Sequence, residues 1–144
     1  MSSHSSNRER VYVALGSNVG DRAAHLAYAR ARLGALPGTR LIGASRVEDT
    51  APLGPMPQGR YLNQMVLLET TLAPEALLAH GQAIEAERGR ERRVRWGPRT
   101  LDVDIVRFGA RTVQAPGLTI PHPELPHRDF WLREIAELEA LVHV

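Results

Sequence analysis

Cysteine is missing from the 144 residues, and so is lysine: all eighteen basic side chains are arginine. Without cysteine there are no disulfides, thiolate metal sites or cysteine nucleophiles, and the chain suits a reducing, cytoplasmic compartment. Without lysine there is no Schiff-base chemistry and no P-loop lysine, so any work on phosphate falls to arginine, metal ions and backbone N–H groups. Aromatics are sparse, at two Trp, three Tyr and two Phe, with no evident pair on an exposed strand of the kind RNA-binding sheets use. No apolar stretch approaches the roughly 20 residues needed to cross a membrane. The first ten residues lack the apolar segment of a secretory signal and read as a flexible arm. Residues 11–144 read as one domain, long enough to bury a core, with an ordinary hydrophobic fraction of 43%. The formal net charge of +2 excludes little by itself.

What is present is concentrated in one stretch. Arginines at 88, 90, 92, 93, 95 and 99 run directly into Asp102 and Asp104. Arginine forks grip phosphate oxygens in pairs, and paired carboxylates hold the hard cations that travel with nucleotides. Residues 101–106 read as a strand, which points Asp102 and Asp104 to one face with Cα atoms about 6.5 to 7 Å apart. The plain alternative is a solvated basic loop beside an edge strand. The adjacency of the two features, with Trp96 and the stiff Gly97-Pro98 between them, favours a phosphoryl-transfer site.

Along the chain, Val11–Leu15 reads as a buried strand and Gly16–Asp21 as the turn leaving it. A helix is expected from about Asp21 to Leu36, stopped by Pro37-Gly38, then a second strand from Leu41 to Val47 that Gly43 weakens. Thr50–Gly59, with three prolines and two glycines, reads as a loop. Leu62–Thr70 alternates poorly yet suits a buried strand. Pro74 opens a second helix that Gly89 ends near Arg88. The Asp-Val-Asp strand follows, then a turn after Gly109, the segment 118–123, and a helical tail from about Phe130 to Leu141. This order suits an α+β, ferredoxin-like sandwich, an antiparallel sheet with helices on one face plus a C-terminal extension.

Five segments together carry a family resemblance: Ala14-Leu-Gly-Ser-Asn18, Thr50-Ala-Pro-Leu-Gly-Pro55, Tyr61-Leu-Asn63, Arg95-Trp-Gly-Pro-Arg-Thr-Leu-Asp-Val-Asp104 and Leu118-Thr-Ile-Pro-His122. In order and spacing the chain resembles the 6-hydroxymethyl-7,8-dihydropterin pyrophosphokinases of folate biosynthesis. The resemblance implies a ferredoxin-like fold and transfer of a whole pyrophosphoryl group from ATP to the hydroxymethyl oxygen of a reduced pterin, with release of AMP.

It also implies roles for particular residues. Asp102 and Asp104 would hold two Mg²⁺ ions. Arg90 and Arg99 would neutralise charge on the phosphates and, with the aspartates, form the catalytic set. ATP would also meet Gln82, Glu85, Arg92, Arg95, Trp96, Ile105, Thr119, His122 and Arg128. The pterin would meet Thr50, Leu53, Tyr61, Asn63, Trp96 and Phe130, with Asn63 donating to and accepting from its amide-and-amine edge and the aromatics stacking on its faces. The arginine loop would act as a lid. ATP and the reduced pterin are the expected partners of a monomer that takes no nucleic acid and no membrane. The chain departs from the family's pattern at Pro123, where some members carry an aromatic, at Asp129, a negative charge beside Arg128, and in its short C-terminus. The competing reading is a nucleotide- or nucleic-acid-binding module that uses the arginine loop without catalysis. The two carboxylates beside that loop weigh against it.

Overall fold

A computed structural model describes residues 8–52, 54, 59–89 and 100–142. The element order is β1 (Glu9–Ser17), α1 (Arg22–Gly34), β2 (Thr39–Ala44), β3 (Glu48–Thr50), β4 (Tyr61–Thr70), α2 (Pro74–Glu87), β5 (Asp102–Phe108), β6 (Val113–Ala115), β7 (Leu118–Ile120) and α3 (Asp129–Val142). The main sheet runs β2-β4-β1-β5, with β3 also paired to β4, and these pairings are antiparallel. β6 and β7 form a separate antiparallel pair.

β1 takes the centre because Val11, Tyr12, Val13, Ala14 and Leu15 fill both of its faces with apolar side chains. Val11, Val13 and Leu15 join Val66, Leu68, Val103 and Phe108 in one core, closed by Leu26, Ala29 and Leu33 of α1 and Leu77 and Ile84 of α2. Tyr12, Ala14, Met65, Leu67 and Val106 form the opposite face and are closed by Trp131, Ile135 and Leu138 of α3. The expectation of helices on one face is therefore corrected: helices cover both. β4 alternates poorly because neither of its faces meets water, so apolar residues occupy successive positions rather than every second one.

Local signals account for the element ends. The Asp21 carboxylate caps α1 by accepting from the Ala24 N–H at 3.1 Å. Pro74 starts α2, with Glu75 in its first turn. Gly89 follows α2 at φ +81°, a conformation that costs glycine least. Gly43 serves the packing of β2. A Cβ there would stand 2.9 Å from Val142 and 3.1 Å from Leu138, so glycine admits the end of α3 at a register shift between β2 and β4.

Several sequence-based boundaries move: β1 begins at Glu9, inside the expected arm, where Glu9 and Arg10 pair with Thr70 and Glu69, and α1 ends at Gly34. Gly16 and Ser17 belong to β1 rather than to a turn, because they pair with Leu62 and Asn63 of β4. The second strand begins at Thr39 and ends at Ala44. Thr50 closes the short edge strand β3, opposite Tyr61, instead of opening a loop.

Candidate active site

The α3-side face of the sheet carries a row of polar groups at one end of its apolar core. Gly16 of β1 pairs with Asn63 of β4 on one side and with Asp102 of β5 on the other. Asn63, Gly16 and Asp102 thus lie abreast, with Asn63 and Asp102 about 10 Å apart across two strand spacings. Asp104 follows two residues on, opposite Ala14, and both aspartates are half-buried. A Cβ on Gly16 would lie 3.4 Å from Asn63 Oδ1 and 3.6 Å from the Tyr61 ring. Glycine here leaves the floor between Asn63 and Asp102 low, a signal that the sequence reading assigned to a turn.

Around Asn63 the positions are tightly tied. Its Nδ2 donates to Thr50 Oγ1, which joins two of the expected pterin residues across β3 and β4. Tyr61 shares their face by strand alternation. The segment entering β4 is held from the other side: Asn18 Nδ2 donates to the Gly59 carbonyl at 3.1 Å, and Arg22 Nη1 to that of Arg60 at 2.9 Å. Phe130 starts the helix that covers this face and packs at the edge of its core.

A second group forms at the outer edge of β5. A cleft of about 230 Å³ is lined by Asp104, Ile105, Thr119, His122 and Pro123, with Leu78 and Gly117 completing its walls. It brings together three of the expected ATP residues, one aspartate and the departure at Pro123. The His122 N–H donates to the Val106 carbonyl at 2.9 Å, and its Nδ1 accepts from the Glu124 N–H at 3.0 Å. When neutral, the ring therefore carries its proton on Nε2. Burial first, and then the neighbouring Arg128, lower the His122 pKa and favour that neutral form.

The two groups meet through Trp131, which the sequence reading passed over. Its buried ring stands edge-on to His122 at 5.0 Å and to Phe130 at 6.4 Å, and the Arg128 guanidinium lies 4.5 Å from its centre. Asp129 sits in the first turn of α3, where its negative charge meets the positive end of the helix.

Gln82 and Glu85 part company. Gln82 is exposed, whereas Glu85 is buried and accepts from the Val103 N–H at 2.7 Å. This bond fixes α2 to β5 between the two aspartates, and Gly81 lets the helix approach Val103 closely. Glu85→Ala is expected to lower stability by about 1.5–3 kcal/mol, the range for a buried bond to a charged acceptor. Thermal melting checks it, and an unchanged midpoint would contradict it.

Arg90, Arg92, Arg95, Trp96 and Arg99, and with them the expected lid, lie outside the described residues, as does Leu53. Among the described residues no three His, Cys, Asp or Glu side chains form a metal-binding group. Two aspartates alone fit an ion whose remaining ligands are water and phosphate oxygens, the habit of Mg²⁺ in nucleotide sites. Among the described residues no helix is long and apolar enough to cross a membrane.

Comparison with known proteins places the chain in a family. A family model described as 7,8-dihydro-6-hydroxymethylpterin-pyrophosphokinase matches residues 12–140. The chain is 45% identical over 130 residues to the 2-amino-4-hydroxy-6-hydroxymethyldihydropteridine pyrophosphokinase of Pseudomonas aeruginosa, covering 90% of this chain and 80% of that protein. It is 42% identical over 127 residues to the protein of the same name from Bacillus subtilis, covering 88% and 76%. A bifunctional protein of Lactococcus lactis, FolKE, matches at 35% over 130 residues, 90% of this chain and 37% of its own length. These matches favour catalysis over the binding-only alternative and include the β1, β4 and β5 positions that build the polar row. The chain belongs to the 7,8-dihydro-6-hydroxymethylpterin-pyrophosphokinase family.

Proposed function

We infer that this chain carries out the reaction its family is named for. It transfers the pyrophosphoryl group of ATP to the hydroxymethyl oxygen of 6-hydroxymethyl-7,8-dihydropterin in folate biosynthesis. A bond forms between that oxygen and the β-phosphorus, the bond from the β-phosphorus to the α,β-bridging oxygen breaks, the hydroxyl proton is lost, and AMP leaves. The observation that carries this reading is the row Asn63–Gly16–Asp102, which sets a group suited to a heterocycle's amide edge beside one suited to metal-bound phosphates, with only a glycine between them.

In this reading the pterin lies between Tyr61 and Phe130, its edge on Asn63, with Thr50 holding the Asn63 amide in place and Leu53 and Trp96 completing the slot. ATP occupies the cleft lined by Ile105, Thr119 and His122, with Arg128, Gln82 and Glu85 at its margins. A neutral His122 offers an Nε2–H to a nucleotide acceptor. Asp102 and Asp104 would hold two Mg²⁺ ions. Bound there, the ions would offset phosphate charge and orient both substrates. Arg90, Arg92, Arg95 and Arg99 would bring fixed positive charge to the transferred group, which suits a reaction governed by positioning and electrostatics.

With the short edge strand β3 set aside, the remaining βαββαβ order and the strand sequence β2-β4-β1-β5 support a ferredoxin-like description of the sheet. The proposal includes a cytoplasmic monomer with these small molecules as its partners. Asn63→Ala should raise the pterin KM by about 10- to 100-fold, because the heterocycle's donors and acceptors lose their partner, while the KM for ATP moves far less. Steady-state kinetics in both substrates checks this, and an unaltered pterin KM would remove Asn63 from the site.

A further inference from the structure

Glu134 is a buried ionisable side chain outside the proposed substrate sites. Glu134 of α3 is 1% exposed, and among the described residues neither of its carboxyl oxygens has a hydrogen-bond donor. Glu48 of β3, opposite Asn63 on the α3-side face of the sheet, faces it. As two carboxylates the pair would hold acceptors only; with one proton between them they form a bond. Arg133 donates to both oxygens of Glu48 at 3.3 Å from its exposed side. Glu137 also faces Glu134 from α3 and is itself engaged by the Arg46 backbone N–H at 2.9 Å and by the Arg46 guanidinium.

Glu48 stands opposite Asn63 in the β3–β4 pairing, and Thr50, two residues on, accepts from Asn63. Phe130 lies one helical turn before Glu134. The carboxyl pair therefore ties α3, which carries Phe130, to the edge strand that fixes Thr50 and Asn63. We propose that Glu134 and Glu48 form a proton-sharing clasp that sets the width of the pterin slot between α3 and the sheet.

This inference rests on the pterin site proposed above. Glu134 and Glu48 act as positioning residues, without touching the substrate. Burial first, and Glu48 second, push the Glu134 pKa up to about 9. The clasp is thus closed through neutral pH and opens as pH rises through about 9, when a second negative charge enters a buried site with Arg133 as the adjacent cation.

The test is the pterin KM and kcat of wild type, Glu134→Gln and Glu134→Leu from pH 6 to 10, with the melting midpoint of each followed in parallel. If slot closure follows protonation, the wild-type pterin KM rises about tenfold at pH 10, as the closed fraction falls to roughly a tenth. The KM for ATP should change much less. Glu134→Gln, whose amide donates to Glu48 at every pH, should abolish the alkaline rise. Glu134→Leu should show a raised pterin KM already at pH 7, with kcat falling less than KM rises. Titration of the pterin itself would appear equally in all three proteins. An alkaline rise in Glu134→Gln equal to that of wild type would overturn the clasp, as would a wild-type pterin KM in Glu134→Leu. Asn63→Ala separates the two levels: if it weakens pterin binding while the Glu134 variants do not, the clasp fails and the site stands. If Asn63→Ala also has no effect, the site itself is misplaced.

Discussion

Alanine at Asp102 or at Asp104 should lower turnover by about a thousandfold or more, corresponding to roughly 4 kcal/mol of lost transition-state stabilisation. The two carboxylates lie on one face of β5, half-buried, with Asp102 opposite Gly16. In the proposed reaction they hold the ions that offset phosphate charge, and the arginines cannot replace an oxygen ligand. Neither aspartate belongs to the two apolar cores, so the variants should keep their secondary structure and melt within a few degrees of wild type. Circular dichroism and initial rates over a Mg²⁺ series decide the matter together. Near-wild-type turnover in both variants would dismiss the two-aspartate metal site.

Glu134→Gln should stabilise the protein. Glu134 keeps its proton in the folded chain up to about pH 9, whereas in the unfolded chain it releases it near 4.5. Between those values the unfolded state binds fewer protons, so stability falls as pH rises; the contribution is complete below about 4.5 and is lost progressively up to about 9. At pH 7 the accumulated loss approaches about 3 kcal/mol at roughly 1.4 kcal/mol per pH unit. Glutamine carries no such proton and can still bond to Glu48. Its melting midpoint should exceed that of wild type by about 3 to 10 °C at pH 7, with the two curves converging toward pH 4.5. Parallel wild-type and variant curves across pH 5–9 would show that Glu134 does not hold its proton.

The strands and helices of the core were largely legible. Val11–Leu15, Leu62–Thr70 and the Asp-Val-Asp strand show in apolar runs, and Asp21, Pro74 and Gly89 mark helix ends by their own chemistry. The covering of the second sheet face was harder to read. Its signal is the continuous apolar run in β1 and β4, which calls for a second layer, and α3 supplies Trp131, Ile135 and Leu138 at the right spacing. Within that same stripe stands Glu134, three residues after Trp131 and four before Leu138. A carboxyl in the middle of an apolar stripe is a visible anomaly, but its partner Glu48 lies 86 positions away and only the fold joins them. Gly16 was misread for a related reason: glycine before Ser-Asn suggests a turn locally, while its role as a low floor depends on Asn63 and Asp102 in neighbouring strands. Glu85 is similar, since its spacing from Gln82 places both near one helix face but cannot tell which of them turns under to Val103.

In the proposed reaction two substrates meet over one sheet face for transfer of a pyrophosphoryl group. Its most direct test is product analysis after mixing the protein with ATP, Mg²⁺ and 6-hydroxymethyl-7,8-dihydropterin. AMP and the pterin diphosphate forming in equal amounts is the predicted result. ADP with a pterin monophosphate would contradict it, and so would ATP left unconsumed by folded protein.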